Sequence, residues 1–184
     1  MNPFNLFKHL GRLLRHAWLD EDDTRRAIPP ELLDRLMRRV AASELRHGGE
    51  IRICVEASLP LAALWRQGRD PQALRALIRA RALEQFAQLR VWDTERNNGV
   101  LIYLLLAEHA IEVVADRGLN RHVSADDWQA LVRHMGAAFR AGRFEDGLTG
   151  ALEQVSAVLV QHFPEEGGAA AGGPNQLPDE PVLR

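Results

Sequence analysis

From Val100 to Leu106 every position is apolar or aromatic, with no polar alternation, and the run opens on Asn97-Asn98-Gly99. A run of that length and evenness predicts a strand buried on both faces. Glu50 to Ser58 alternates instead, with Ile51, Ile53 and Val55 on one face and Arg52, Cys54 and Glu56 on the other, which predicts a strand with a less apolar second face. Between the two, starting at Pro71, Leu74, Leu77, Ile78, Ala82, Phe86 and Leu89 recur at helical spacing. Strand, helix and strand in that order predict a parallel pair joined by a right-handed crossover. Ala107 to Ala110 is short enough for a hairpin, so Ile111 to Ala115 should return antiparallel to the central strand. The expected fold class is α/β, with a mixed β-sheet sandwiched between helices.

The flanking segments supply the covering helices. Pro30 and Glu31 open a helix carrying Leu32, Leu33, Leu36, Met37, Val40, Ala41 and Leu45 on one face, stopped at His47-Gly48-Gly49. Ser124, with Asp127 three residues on, predicts a capped helix whose inner face is Trp128, Leu131, Val132, Met135 and Phe139. After Gly142 a last helix faces the core with Phe144, Leu148, Leu152, Val155, Leu159 and Phe163, and ends at Pro164. Residues 59–70 read as a connection with Trp65 tucked against the body. Asp20-Glu21-Asp22-Asp23-Thr24 reads as a solvated linker, because no hydrophobic strand precedes it to hold an aspartate in place. Residues 4–18 predict a basic amphipathic helix, with Leu6, Leu10, Leu13, Leu14, Ala17 and Trp18 on one side. Such a helix packs on its own domain or lies on an anionic membrane surface, and three basic residues favour packing. The stretch from Glu165 to Arg184, rich in Gly, Ala and Pro, is expected to be disordered. The expected organisation is an N-terminal helix and linker over 1–30, an α/β domain over 31–163 and a tail over 164–184.

Composition narrows the function classes. A net charge of -2, with basic and acidic residues interleaved along most helices, speaks against a nucleic-acid partner. Cys54 is the only cysteine, which excludes an intrachain disulfide or a Cys-rich metal site, and its neighbours make it a small strand residue. No secretory or membrane-spanning run is visible, so the expected location is cytoplasmic, with peripheral contact at the inner membrane through residues 4–18. The seven histidines are scattered, and most are expected on the surface. No phosphate-binding glycine loop or organic-cofactor motif occurs.

The segment "NNGVLIYLLLAEHAIEVVADRGL", followed by a helix and then by "FRAGRFEDGLTGALEQV", resembles the TPM domain family. Phe139, Gly142, Phe144 and Gly147 supply the aromatic-glycine spacing that starts that family's last helix, and the likeness spans about residues 44 to 163. The resemblance implies an αβα sandwich. It also implies heterogeneous roles: photosystem repair with weak acid-phosphatase activity and calcium binding in plant members, receptor association in animal ones, and others in bacteria. No signal peptide or anchor is expected in this chain, a departure from many members.

The hairpin places the start of the central strand beside the end of its partner, so Asp93, Glu95, Asn97 and Asp116 are expected at one sheet edge. Carboxylates and amide oxygens are hard ligands suited to Ca²⁺ or Mg²⁺, and Arg117 beside them suits a phosphate. The bland alternative is turn chemistry, with those side chains bonded to local backbone. Ser58 falls at the opposite edge from Asp93, which excludes a pairing between them. The function expected is an accessory domain acting with a protein partner and a divalent cation, the alternative being a weak metal-dependent phosphatase on phosphate monoesters.

Overall fold

The computed structural model describes residues 3–67, 70–164 and 175–184. Its centre is a four-stranded mixed sheet in the order β3-β2-β1-β4, formed by β1 (Glu50–Glu56), β2 (Gly99–Leu105), β3 (Ala110–Ala115) and β4 (Val182–Leu183). β1 and β2 run parallel, with Glu50 opposite Gly99 and Glu56 opposite Leu105. β3 returns antiparallel on β2, with Val100 opposite Ala115, after a short 3-10 turn in which His109 takes a left-handed φ of 47°.

The alternation along the strands sorts the core into two layers. Ile51, Ile53, Val55, Val100, Ile102 and Leu104 meet α3 (Pro30–Glu44) and α7 (Phe144–His162) on one face. Cys54, Leu101, Tyr103 and Leu105 meet α5 (Pro71–Gln88) on the other. β2 is buried along its whole length, the consequence of a strand with helices on both sides and strands on both edges. α6 (Ala125–Arg140) packs on β3 and α7, and Ser124 and Asp127 form the expected capping box. Trp128 and Phe139 are buried there, whereas the Met135 side chain lies outside the described residues.

Four expectations need correction. Residues 20–27 are no simple linker: Asp20 caps α2 (Glu21–Ala27) with a reciprocal capping box, and Ile28 just beyond it is 1% exposed in the main core. The acidic run is thus a helix start, where carboxylates meet unpaired backbone N–H groups. Part of the 59–70 connection is a helix, α4 (Leu61–Gln67), and Trp65 on it is 72% exposed instead of tucked. Of the tail expected to be disordered, 165–174 lies outside the described residues, but 175–184 lies along β1 and buries Leu177 and Pro181. Ten residues with only four aliphatic anchors hold there because the edge of β1 supplies backbone partners. Finally, His16 and His47 are buried, not superficial.

α1 (Pro3–Trp18) forms as its periodicity predicts and packs on the domain, but largely through its polar side. Arg12, Arg15 and His16 turn inward, while Leu10, Leu14 and Trp18 are exposed.

Candidate functional site

The amino end of β2 is built by two segments that clasp each other. Asn97 adopts a φ of 52°, a left-handed conformation that asparagine tolerates better than most residues. Its carbonyl then accepts the Gly118 N–H at 2.9 Å, and the Gly99 carbonyl accepts the Asp116 N–H at 2.9 Å. Glycine is required at both contacts: an added Cβ would lie 1.9 Å from the Val91 carbonyl oxygen at Gly99 and 2.4 Å from that of Asn97 at Gly118. Asn98 donates its side-chain amide to the Gly48 carbonyl and its backbone N–H to the Thr94 hydroxyl oxygen at 3.1 Å, which ties the clasp to the turn before β1.

Asn97, Asp116 and Arg117 therefore come together as expected. Arg117 Nε donates to Asn97 Oδ1 at 2.8 Å, and Asp116 Oδ1 accepts the Arg117 N–H at 2.7 Å. Asp116 is 9% exposed and its Oδ2 has no partner; Asn98 is 1% exposed and its Oδ1 has none either. Asp93 and Glu95 stand exposed before them, without side-chain hydrogen bonds among the described residues, and the Glu95 N–H is held by Gln176. Among the described residues no three His, Cys, Asp or Glu side chains gather as a metal-binding group. The donor set fits a hard cation in part. Asp116 Oδ2 and Asn98 Oδ1 are free oxygens at one sheet end, while Asn97 Oδ1 is already engaged by a guanidinium.

Around the same end lie groups kept neutral by burial. Ser43 Oγ bonds His47 Nε2 at 2.8 Å, and His47 Nδ1 bonds the Gly49 carbonyl at 3.0 Å. A carbonyl only accepts, so Nδ1 carries the proton and Nε2 receives the serine hydroxyl. Burial, with Arg46 nearby, pushes the His47 pKa down to about 4. Burial, with Glu50 and Asp179 nearby, pushes that of Glu44 up to about 9, although Glu44 Oε1 accepts the Ile51 N–H at 2.8 Å.

The carboxyl ends of β1 and β2, where ligand crevices occur in many α/β sheets, are closed by ionised pairs. Glu56 forms a bidentate pair with Arg81 at 2.6 to 3.1 Å and accepts the Tyr103 hydroxyl at 2.7 Å. The Glu56 bond drives the Arg81 guanidinium up, and burial next to Glu56 drives the Tyr103 phenol up. α1 covers the rest. His16 Nδ1 accepts the Leu59 N–H at 2.9 Å, so its Nε2 donates to Glu108 at 3.0 Å. Arg12 pairs with Glu108 at 3.2 Å, and Arg15 donates to the Ala107 carbonyl at 2.8 Å. Burial alone would raise the Glu108 carboxyl, but His16, Arg12 and Arg15 outweigh it and hold it below the usual range.

With its basic side spent inward, α1 leaves a groove of about 740 Å³ against α4, walled by Leu10, Leu13, Leu14, Ala17, Leu61 and Trp65. The sequence shows the repeats that make it, Leu10/Leu14/Trp18 and Leu61/Trp65 at i, i+4, but not which way they face. Among the described residues no helix is long and apolar enough to cross a membrane.

A family model described as TPM domain matches residues 22–158. Among solved structures, the BA42 protein from the psychrophilic bacterium Bizionia argentinensis is similar, with a TM-score of 0.67 and 24% identity, over 84% of this chain and 94% of that one. The N-terminal domain of a protein from P. gingivalis is similar with a TM-score of 0.56 and 19% identity, over 76% of this chain and 83% of that one. At these identities both likenesses bear on the fold alone. No curated protein matches the chain.

Proposed function

The chain belongs to the TPM domain family, and from that premise we propose that it is an accessory interaction domain that docks a protein partner's helix in the groove between α1 and α4. The observation that carries this reading is the reversed docking of α1. Leu10, Leu14 and Trp18 are 51%, 53% and 82% exposed while the arginines beside them are turned to the body. A monomeric domain seldom leaves so continuous an apolar stripe open, and a concave channel between two helices suits the apolar ridge of a third. Arg66 on the rim favours acidic flanks on that helix. The expected place of work is cytoplasmic, at the inner face of a membrane that the partner occupies.

Photo-crosslinkers placed at Leu14 and Trp65 are expected to trap one and the same protein in cells, and Leu61→Asp should abolish both adducts. Different or diffuse adducts from the two positions, or a Trp65 adduct and fractionation unchanged on removal of residues 1–19, would sink the reading.

A second reading has one observation in its favour, the unpartnered Oδ2 of Asp116. In it Asp93, Glu95, Asn97 and Asp116 hold Ca²⁺ or Mg²⁺, and the cation would polarise a phosphate monoester that Arg117 orients. Arg117 must then leave Asn97 Oδ1 for the phosphate. Hydrolysis of p-nitrophenyl phosphate with Mg²⁺, Mn²⁺ or Ca²⁺, lost in Asp116→Asn, is the expected result. Absence of hydrolysis with all three removes this reading without touching the first.

A further inference from the structure

β1 is paired with β2 along one side, and its other side would present open N–H and C=O groups if residues 175–184 were not there. The way they are held is unusual in that mostly backbone is recognised. Glu50 accepts the N–H groups of Gln176 and Leu177 at 3.3 and 3.2 Å. Arg52 Nη1 donates to the carbonyls of Pro178 and Glu180, the latter at 3.0 Å. Arg184 donates its N–H to Val55 O at 2.9 Å and accepts the Ala57 N–H at 2.8 Å. Val182 and Leu183 sit opposite Cys54 and Val55, running parallel to β1, and pack toward opposite faces of the sheet. Side-chain insertion is otherwise confined to Leu177 and Pro181. A receiving edge that reads main chain and takes a few apolar side chains is the chemistry of strand addition by a peptide.

The present occupant fits it imperfectly. Its ladder is two residues long against the seven of β1. Asp179, whose Oδ1 accepts the Asn175 amide of its own segment at 2.7 Å, puts a carboxyl group beside those of Glu44 and Glu50, and Arg52 near them spends its bonds on carbonyls while its Nε has no partner. The connection to the body, residues 165–174, carries no apolar side chain larger than alanine or proline. The strand also lies outside the residues matched by the family model.

We propose that the outer edge of β1 is a receiving site for an extended segment of another protein, and that residues 175–184 are a resident strand which that segment displaces. The partner segment runs parallel to β1. It carries a leucine-like residue at the place of Leu177, two adjacent apolar residues at those of Val182 and Leu183, and a cationic or amide residue where Asp179 stands, since that position faces Glu44 and Glu50. This site is separate from the α1–α4 groove, so either can fail without the other.

The probes are fluorescent peptides with the sequence of residues 175–184, the same sequence with Asp179→Lys, and a scrambled form. They are titrated into the full-length chain and into a full-length Leu177→Ser/Leu183→Ser variant whose resident strand is weakened. The lysine peptide is expected to bind the variant at least tenfold more tightly than the wild type and more tightly than the native-sequence peptide, with no binding of the scrambled form. No uptake by a variant that keeps its circular dichroism overturns the proposal, as does a variant that exchanges strands into a dimer without taking peptide. Should the variant not fold, the wild type decides: the Ala57 amide must exchange with solvent well before those of Ile102 and Leu104. Exchange of all three only by global unfolding would overturn it.

Discussion

The two ends of the sheet solve the burial of polar groups in opposite ways. At the carboxyl end the groups are ionised and paired: Glu56 with Arg81, Glu108 with Arg12. At the amino end they are kept neutral or bonded to backbone: His47 to Ser43 and Gly49, Glu44 to Ile51, Asn98 to Gly48. An ionised pair is largely indifferent to pH near neutrality, whereas a group held neutral against its ordinary pKa makes stability a function of pH. The contrast follows from the covering elements, because arginines on α1 and α5 reach the first end, while the second is closed by turns that offer mostly main chain.

The largest effect is expected where the ionised end is broken. Glu56→Ala leaves a guanidinium at 19% exposure with Glu84 as its remaining partner and a fully buried phenol with none, and should cost about 4 kcal/mol in urea unfolding. A loss below about 1 kcal/mol would mean that the pair is solvated and the contrast false. At the other end Gly99→Ala forces a Cβ onto the Val91 carbonyl, which only backbone movement relieves, so a loss of about 3 kcal/mol is expected by the same measurement.

Titration separates the ends more finely. His47 has a folded pKa of about 4 against an ordinary 6.5, so the unfolded chain binds the extra proton between those values. Its contribution is complete above pH 6.5 and falls by about 3 kcal/mol as pH drops to 4. Glu44 acts in the opposite sense: with a folded value of about 9 against 4.5, it holds its proton when folded and loses it when unfolded, so stability declines as pH rises from 4.5 to 9. The two contributions oppose each other below pH 6.5. Glu44→Gln should therefore unmask the His47 limb, and the gap between variant and wild-type curves should widen steadily toward pH 9. Parallel curves would place Glu44 in solvent.

The smallest effect is expected at Asp116. Without added metal, Asp116→Asn should change stability by less than about 1 kcal/mol, since its Oδ2 makes no bond to lose. With millimolar Ca²⁺ or Mg²⁺ only the wild type should gain melting temperature, and equal gains in both proteins would take the cation away from the clasp.

How much of this was legible follows from which forces are written in periodicity. The buried run of β2, the alternation of β1, the crossover helix and the antiparallel return are all hydrophobic patterns, and they appear in the order and directions expected. The meeting of Asn97, Asp116 and Arg117 was legible too, because hairpin geometry alone brings strand ends together. What periodicity conceals is orientation and docking by main chain. Leu10, Leu14 and Trp18 announce an amphipathic helix, yet nothing in them says that His16 and Arg15 find better partners inside than outside. Residues 175–184 lack an apolar rhythm because Glu50 and Arg52 recognise their backbone. His47 looked like a turn residue; its partner Ser43, four positions earlier on the last turn of α3, is the signal that was there.

The placement of the tryptophans decides how this protein can be watched. Trp18, Trp65 and Trp92 are 82%, 72% and 50% exposed, and Trp128 alone is buried. Native emission should therefore already be red-shifted, and the fraction arising from α6 should move most when the chain unfolds. The open α1–α4 channel adds a second optical trap, because environment-sensitive dyes that light up on apolar surface will find it in the folded state. A dye-based melt would start bright and rise little, and a well-folded preparation would look like a collapsed one.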